Sequence, residues 1–126
     1  MVTTDVAQLS RECNAWRETL RSYRDQFGSI KIRLQEVAGR QTLREDLLEV
    51  DHLDNQLHIQ LINIHDLKQA IKIHTRRVDS EMAGPEGHLE DETIANHENL
   101  FDEYQSLENT LHDLRHEFEI FVTRAS

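Results

Sequence analysis

The sequence has few of the residues that cross-link or interrupt a fold: one cysteine, one proline and four glycines in 126 residues. A lone cysteine excludes a disulfide framework within the chain and leaves too few thiolates for a structural zinc site. Glycine and proline form most tight turns, so their scarcity argues against a sheet protein with many strands. The composition therefore favours a helical protein.

Basic charge and apolar runs are scarce too. Lys and Arg number 14 against 24 Asp and Glu, a net charge of −10. An acidic surface repels phosphate, so we expect neither nucleic acid nor a membrane as partner. The longest aliphatic or aromatic run is Ile120-Phe121-Val122, far short of the roughly 18 to 20 residues that span a bilayer. No basic and apolar leader follows Met1, and we expect a cytoplasmic protein.

Apolar side chains recur at alternating spacings of four and three residues along the first third of the chain: Val2, Val6, Leu9, Cys13, Trp16, Leu20, Tyr23, Phe27, Ile30, Leu34 and Val37. This coiled-coil repeat predicts a first helix over about residues 4–38. Thr3 or Thr4 is the expected N-cap. Gly39 is expected to end the helix in a left-handed conformation.

Two further helices are predicted by the same spacing, over about residues 43–79 and 86–124. Thr42 and Glu45 have the spacing of a capping box, and Pro85 suits the first turn of the third helix. The seam of the second helix comprises Leu43, Leu47, Val50, Asp54, Leu57, Leu61, Ile64, Lys68, Ile71, Thr75 and Val78, with Leu53 and Leu67 widening it. The third seam includes His97. We expect the polar seam residues Asp54, Lys68, Thr75 and His97 to fix register.

Short connections force neighbouring helices to run antiparallel, so the predicted fold is all-α, a single domain over residues 1–126. The expected architecture is an up-down-up antiparallel three-helix bundle of long, coiled-coil-like helices. We predict that facing residues of the second and third helices have numbers that sum to about 166. This register places Asp51 beside Arg115 and His58 beside Glu108.

In outline, three long helices with Trp16 in the first resemble spectrin-like repeats. The third predicted helix has no tryptophan, and turns rather than continuous helices join the elements, so the resemblance assigns no family.

The negative charge is concentrated near the end of the chain. Residues 1–40 carry seven basic and five acidic side chains, residues 41–80 five and seven, and residues 81–126 two and twelve. A solvated face is one interpretation of the acidic third helix. The alternative is a docking surface for a basic protein partner, whose affinity would fall with salt.

Two sets of histidines have spacings that metals can use. His112 and His116 lie four residues apart, on one turn of the third helix, and are weak candidates for metal ligands. His58 and His65 with Asp54 form a second, similarly weak set on the second helix. The Glu-x-x-His tetrapeptide of bundles that hold two metal ions does not occur. We therefore expect no cofactor, and we interpret Cys13 as a small hydrophobe of the seam.

A second apolar stripe runs along the second helix, on positions that face away from the predicted core: Leu48, Ile59, Ile62 and Ile73. A three-helix bundle does not need these side chains for its own core. The stripe predicts that another surface covers this face. The same helix of a second copy, in an antiparallel homodimer, is the expected occupant; a foreign protein and ordinary exposure are the alternatives.

The sequence contains no nucleophile elbow, phosphate-binding glycine loop or zinc-protease helix. We therefore expect a non-enzymatic helical-bundle protein that acts through self-association and protein–protein interaction. The alternative function is a bundle that binds a metal or a small ligand through histidines.

Overall fold

The computed structural model describes residues 6–125, which form three long α-helices: α1 (Val6–Ala38), α2 (Arg44–Met82) and α3 (Asp91–Ala125). The helix pairs pack against one another, and the described residues form no strand. The predicted all-α three-helix bundle is confirmed. The expected caps Thr3 and Thr4 lie outside the described residues.

Contacts between side chains give the helix directions. Cys13 contacts His97, and Gln26 contacts Arg115, so the numbers of α1 and α3 partners rise together. The two helices are therefore parallel. His52 contacts Glu117, and His74 contacts His97. The numbers of α2 and α3 partners change in opposite directions, which makes this pair antiparallel and the topology up-down-up.

α2 lies against both neighbours and buries a broader face than one seam. The expected seam positions Asp54, Leu61, Lys68 and Thr75 are only half-buried. One residue earlier in each heptad, the side chains are buried: Leu53, Gln60, Leu67 and His74. Two adjacent seams on one helix are expected where a helix packs against two partners. None of the three described helices has the combination of length and apolarity that crossing a bilayer requires.

The ends of α1 and α2 differ from the sequence prediction. Gly39 is not left-handed; instead, the Gln41 side-chain amide donates to the carbonyls of Val37 at 3.1 Å and Ala125 at 3.3 Å, the last turns of α1 and α3. The Thr42 capping box does not form. The N-cap of α2 is Leu43, which makes no side-chain capping bond.

Leu43 and Leu47, two predicted seam residues, are exposed. They lie at the end of the bundle where α1 has already ended at Ala38, so no α1 residue covers them.

α3 begins at Asp91, five residues later than predicted, and α2 continues to Met82. Gly87 turns the connection with a φ of +61°, a value that side chains with a Cβ disfavour. The carboxylate of Glu81 then accepts hydrogen bonds from the Glu90 backbone N–H at 2.7 Å and from the Thr93 hydroxyl. A side chain of α2 therefore caps the start of α3.

This longer connection shifts the register between α2 and α3. Facing residues have numbers that sum to about 170 instead of the predicted 166, as His52 and Glu117 show. The predicted register is wrong by about one helical turn. Arg115 donates to Gln26 of α1 at 2.9 Å rather than pairing with Asp51. Glu108, predicted to lie beside His58, instead accepts hydrogen bonds from Tyr23 of α1 and Tyr104 of α3.

Candidate functional site

The outer face of α2 carries four large apolar side chains that the bundle leaves in contact with solvent. The exposed fractions are 56% for Leu48, 39% for Ile59, 47% for Ile62 and 64% for Ile73. These are the four residues that the sequence predicts as an interface. A helix turns by about 100° per residue, so the four side chains fall within a strip of about 60°. They form one line along the helix rather than scattered exposed residues.

Polar residues complete this outer face at regular intervals. His52, Asn55, Asp66 and Gln69 lie between the apolar positions, and all four are exposed. Together with Leu48, Ile59, Ile62 and Ile73, they occupy positions from 48 to 73 that are separated alternately by four and three residues, without a gap. That spacing is the signature of a coiled-coil seam, here on the side of α2 that faces away from its packing against α1 and α3.

The order of residues along this outer face is symmetric about its midpoint. Leu48 and Ile73 have numbers that sum to 121, and so do Ile59 and Ile62 (48 + 73 = 59 + 62 = 121). In an antiparallel pair of identical helices, facing residues have numbers with a constant sum. A second copy, turned by a two-fold axis between residues 60 and 61, would therefore place every apolar side chain of the face opposite another apolar side chain.

The polar positions obey the same symmetry. Asn55 would face Asp66 of the second copy, since their numbers also sum to 121, and an amide can donate to a carboxylate. Flanking this seam, Asp51 and Lys72 are both exposed and have opposite charges. Their numbers sum to 123, so each would lie near the other across the two-fold axis. A parallel pair would place Asp66 opposite Asp66, which like charges disfavour.

Neither of the two histidine sets predicted as weak metal candidates forms a group of three ligand atoms among residues 6–125. His112 is exposed and uses both ring nitrogens within the chain: Nε2 lies 3.2 Å from the Tyr23 hydroxyl, and Nδ1 lies 3.0 Å from Arg115. His116 is exposed. Within residues 6–125, no third histidine, cysteine or carboxylate joins them to form a metal-ligand group.

The second set is likewise dispersed. His58 and His65 are exposed, and Asp54 accepts a hydrogen bond from Gln35 of α1 at 3.2 Å. In the part of the chain that the structure describes, these three residues do not come together as ligands. Asp54 instead links α2 to α1 through this hydrogen bond.

The structure brings together a different trio, one residue from each helix: Cys13, His74 and His97. All three side chains are buried. The His74 Nε2 atom lies 3.0 Å from Nδ1 of His97, and the Cys13 Sγ atom lies 3.8 Å from the same nitrogen. Trp16 stacks on His97, with ring centroids 4.8 Å apart.

Burial dominates the electrostatics of this trio. Removal from water disfavours the charged form of each group, so it raises the pKa of Cys13 and lowers the pKa of both imidazoles. The Glu12 carboxylate, 3.7 Å from Nε2 of His97, opposes the shift at that ring. The metal-free trio therefore favours a neutral thiol and neutral rings.

His74 is the member of this trio that the sequence analysis missed. The sequence does contain a pattern that indicates burial of His74, because Leu53 and Leu67 lie beside the predicted seam of α2 and widen it. Gln60 lies seven residues after Leu53, and His74 lies seven residues after Leu67. Both side chains are buried. Cys13 and His97 were placed correctly in the seams of their own helices, but no sequence rule joined them across helices.

An open groove lies between α2 and α3. Its floor contains Leu67, Ala70 and Leu107, and its acidic rim includes Asp102 and Glu103. The groove lies beside the outer face of α2, and Asp66 borders both. It extends the acidic character of α3 onto the surface between the two helices.

Comparisons with protein-family models, with curated proteins and with solved structures find no match to this chain. The outline likeness to spectrin-like repeats is thus limited to the number of helices and the position of one tryptophan. In the structure, Trp16 is buried and packs against His97, Phe101 and Tyr104 of α3. Its role is to hold the parallel pair α1 and α3 together.

Proposed function

We propose that this chain is a non-enzymatic helical-bundle module that self-associates, forming an antiparallel homodimer through the outer face of α2. The supporting observation is the symmetric order of exposed apolar residues along that face. Leu48 and Ile73 mark its ends, and Ile59 and Ile62 its centre. A two-fold axis makes both copies use the same patch, which is the commonest arrangement of soluble oligomers.

The free energy gained by burying this face sets the expected affinity of the dimer. Full burial of a leucine or isoleucine side chain contributes about 1.5 to 3 kcal/mol, and the four residues have already lost part of their exposure in the monomer. Association itself costs about 4 kcal/mol or more. We therefore expect a weak dimer that forms and dissociates with concentration, rather than an obligate one.

Static light scattering coupled to size exclusion tests this proposal. The chain has a mass of 14.8 kDa, so a dimer has twice that mass, 29.6 kDa. The weight-average mass should rise from near the first value toward the second as concentration increases. The double variant Ile59→Glu with Ile62→Glu should stay at the monomer mass at every concentration, because four carboxylates would meet at the two-fold axis.

A matched control separates a specific interface from general surface hydrophobicity. Ile32 of α1 and Ile120 of α3 are also exposed, at 66% and 55%. The variant Ile32→Glu with Ile120→Glu adds the same charge away from α2 and should dimerise like the unmodified chain. A monomer mass for the unmodified chain at high concentration, or equal loss of dimer in both variants, contradicts the proposal.

The acidic groove between α2 and α3 supports a second candidate function, binding of a basic protein partner. Asp66, Asp102 and Glu103 line the groove around an apolar floor. A lysine-rich amphipathic peptide is a suitable probe. Its affinity should fall steeply with salt and fall further in Asp102→Asn with Glu103→Gln. Binding that does not depend on salt contradicts this second proposal.

The proposal also places the protein in the cytoplasm. Its only cysteine, Cys13, is a buried free thiol. The fold uses no disulfide between its own residues, as is usual for proteins of reducing compartments. Fluorescence imaging of a tagged chain in its native host, with a fractionation control, would test this placement.

A further inference from the structure

The buried trio of Cys13, His74 and His97 brings three potential metal-ligand atoms to one point in the core. The Cys13 Sγ atom, a ring nitrogen of His74 and a ring nitrogen of His97 all lie within 4.8 Å of one another. Tetrahedral zinc, with bonds of about 2.0 to 2.3 Å to nitrogen and sulfur, requires ligand atoms about 3.3 to 3.6 Å apart. The contacts at 3.0 and 3.8 Å lie close to that range, and the Cys13 Sγ atom and the His74 nitrogen, within 4.8 Å of each other, would move closer when an ion binds.

The outer nitrogen of each imidazole has a polar neighbour suited to orient it. Nε2 of His97 is buried without a hydrogen-bond partner among the described residues, and the Glu12 carboxylate lies 3.7 Å away. Nδ1 of His74 lies 3.2 Å from the side-chain amide of Asn96. Metal-bound histidines almost always donate their second N–H to a carboxylate, carbonyl or water.

We propose that Cys13, His74 and His97 bind one transition-metal ion of the zinc class through Sγ, Nε2 and Nδ1 respectively. One thiolate with two imidazoles suits zinc and its neighbours in the first transition series, and does not suit Mg²⁺ or Ca²⁺, which prefer oxygen. A small crevice beside Cys13, lined by Leu9, Ser10, Thr75 and Val78, has no room for a water molecule in this structure, so a water in the fourth position requires these side chains to move apart.

Metal binding changes the protonation of the trio in a defined way. Cys13 releases its thiol proton to solvent, because only the thiolate is a good ligand. The proton on Nε2 of His74 moves to Nδ1, where the Asn96 carbonyl accepts it after the amide turns. His97 keeps its proton on Nε2, facing Glu12. One proton is therefore released for each ion bound, and the affinity rises with pH.

The competing interpretation is a buried histidine pair that needs no metal, with the His74 N–H donating to His97. Cobalt absorbance distinguishes the two. Full-length protein stripped with a chelator and titrated with Co²⁺ should show a thiolate-to-cobalt charge-transfer band and tetrahedral visible bands, saturating at one ion per chain. Trp16, the single tryptophan, stacks on His97, so the same titration should quench its fluorescence.

Variants assign the ligands. Cys13→Ser is small enough to keep the packing, and it should remove the charge-transfer band while the circular dichroism stays unchanged. Glu12→Gln leaves all three ligands in place and should weaken Co²⁺ binding by about 10- to 100-fold, the usual effect of losing an outer-shell partner. A His112→Ala with His116→Ala variant, which alters only exposed histidines, should bind like the unmodified chain.

Three results would overturn the proposal: no saturable cobalt spectrum, a charge-transfer band that persists in Cys13→Ser, or loss of binding in the His112→Ala with His116→Ala variant alone. The site lies between the three helices of one chain and does not touch the outer face of α2. Its test is therefore independent of dimer formation.

Discussion

Individual polar side chains fix the ends of this bundle. Glu81, near the end of α2, accepts hydrogen bonds from the Glu90 backbone N–H, the Thr93 hydroxyl and the Arg77 guanidinium. At the opposite end, Gln41 joins the last turns of α1 and α3. Backbone groups at helix ends lack intrahelical partners. Gln41 therefore supplies the cap of α1 that was expected from Gly39, and Glu81 supplies a cap for α3 from the neighbouring helix.

The Glu81 carboxylate makes the stability of the connection depend on pH. The Thr93 hydroxyl, then the Glu90 N–H, hold the pKa of Glu81 below its ordinary value. A carboxyl group with a lowered pKa stabilises the folded state above its unfolded pKa of about 4.3. That contribution is lost as pH falls from there through the folded pKa.

We therefore expect Glu81→Gln to destabilise the protein at pH 7, and the difference from the unmodified chain to shrink as pH falls below about 4.3. Urea unfolding followed by circular dichroism at several pH values measures this difference. Glu119 is an exposed carboxylate of α3. The variant Glu119→Gln is the control and should change stability little at any of these pH values. A Glu81→Gln difference that stays constant down to pH 3 would show that the carboxylate is not ionised in this contact.

At the scale of the helices, the three-residue and four-residue spacing predicted the number, type and approximate extent of all three. It also predicted the outward position of Leu48, Ile59, Ile62 and Ile73. The start of α3 and the register between α2 and α3 could not be predicted. Both depend on Glu81 capping a neighbouring helix and on Gly87 adopting a positive φ, and apolar periodicity carries no information about either.

One of the two candidate sites could be predicted from the sequence, and the other could not. A pattern within one helix, such as the outer face of α2, can be read from spacing alone. The trio of Cys13, His74 and His97 needs three helices in a particular register, and the predicted register was wrong by about one turn. Only the alignment observed in the structure joins the three residues.

Substituting alanine for two of the glycines should change the stability of the protein in opposite directions. Gly28 lies within α1, where an added Cβ would meet no atom within 4 Å. Gly28→Ala should therefore stabilise the protein by about 0.5 to 1 kcal/mol, because alanine loses less backbone entropy in a helix. Gly87→Ala should destabilise it by about 1 to 2 kcal/mol, since a Cβ disfavours the left-handed conformation. Thermal unfolding of the two variants measures both, and changes of the same sign would contradict the assignment.

Two leucines of α2 separate the core from the outer face. Leu53 is fully buried, and Leu48 is 56% exposed. Leu53→Ala should destabilise the fold by about 2 to 5 kcal/mol through lost burial and a residual cavity. Leu48→Ala should change monomer stability by less than about 0.5 kcal/mol, the usual range at exposed positions. Chemical unfolding at low concentration measures both. Equal losses would indicate that Leu48 belongs to the core of the single chain.

At the scale of the whole molecule, the bundle has two distinct apolar systems. The inner one, between α1, α2 and α3, holds a single chain together. The outer one, along α2 from Leu48 to Ile73, has no partner within the described residues of one chain. Because its order is symmetric about residues 60 and 61, a second copy in antiparallel orientation would complement it along its whole length. We therefore propose that α2 contributes to two interfaces, one on each side of the helix.

Disulfide cross-linking between two single-cysteine variants tests that claim most directly. Leu48→Cys and Ile73→Cys are each made in a Cys13→Ser background, and the variants are oxidised alone and after mixing. In the antiparallel dimer, residue 48 faces residue 73 of the other copy, whereas two copies of residue 48 lie about 37 Å apart, 25 residues at 1.5 Å each. An antiparallel dimer should give a covalent dimer only in the mixture. Covalent dimers in each variant alone, or none in the mixture, would contradict it.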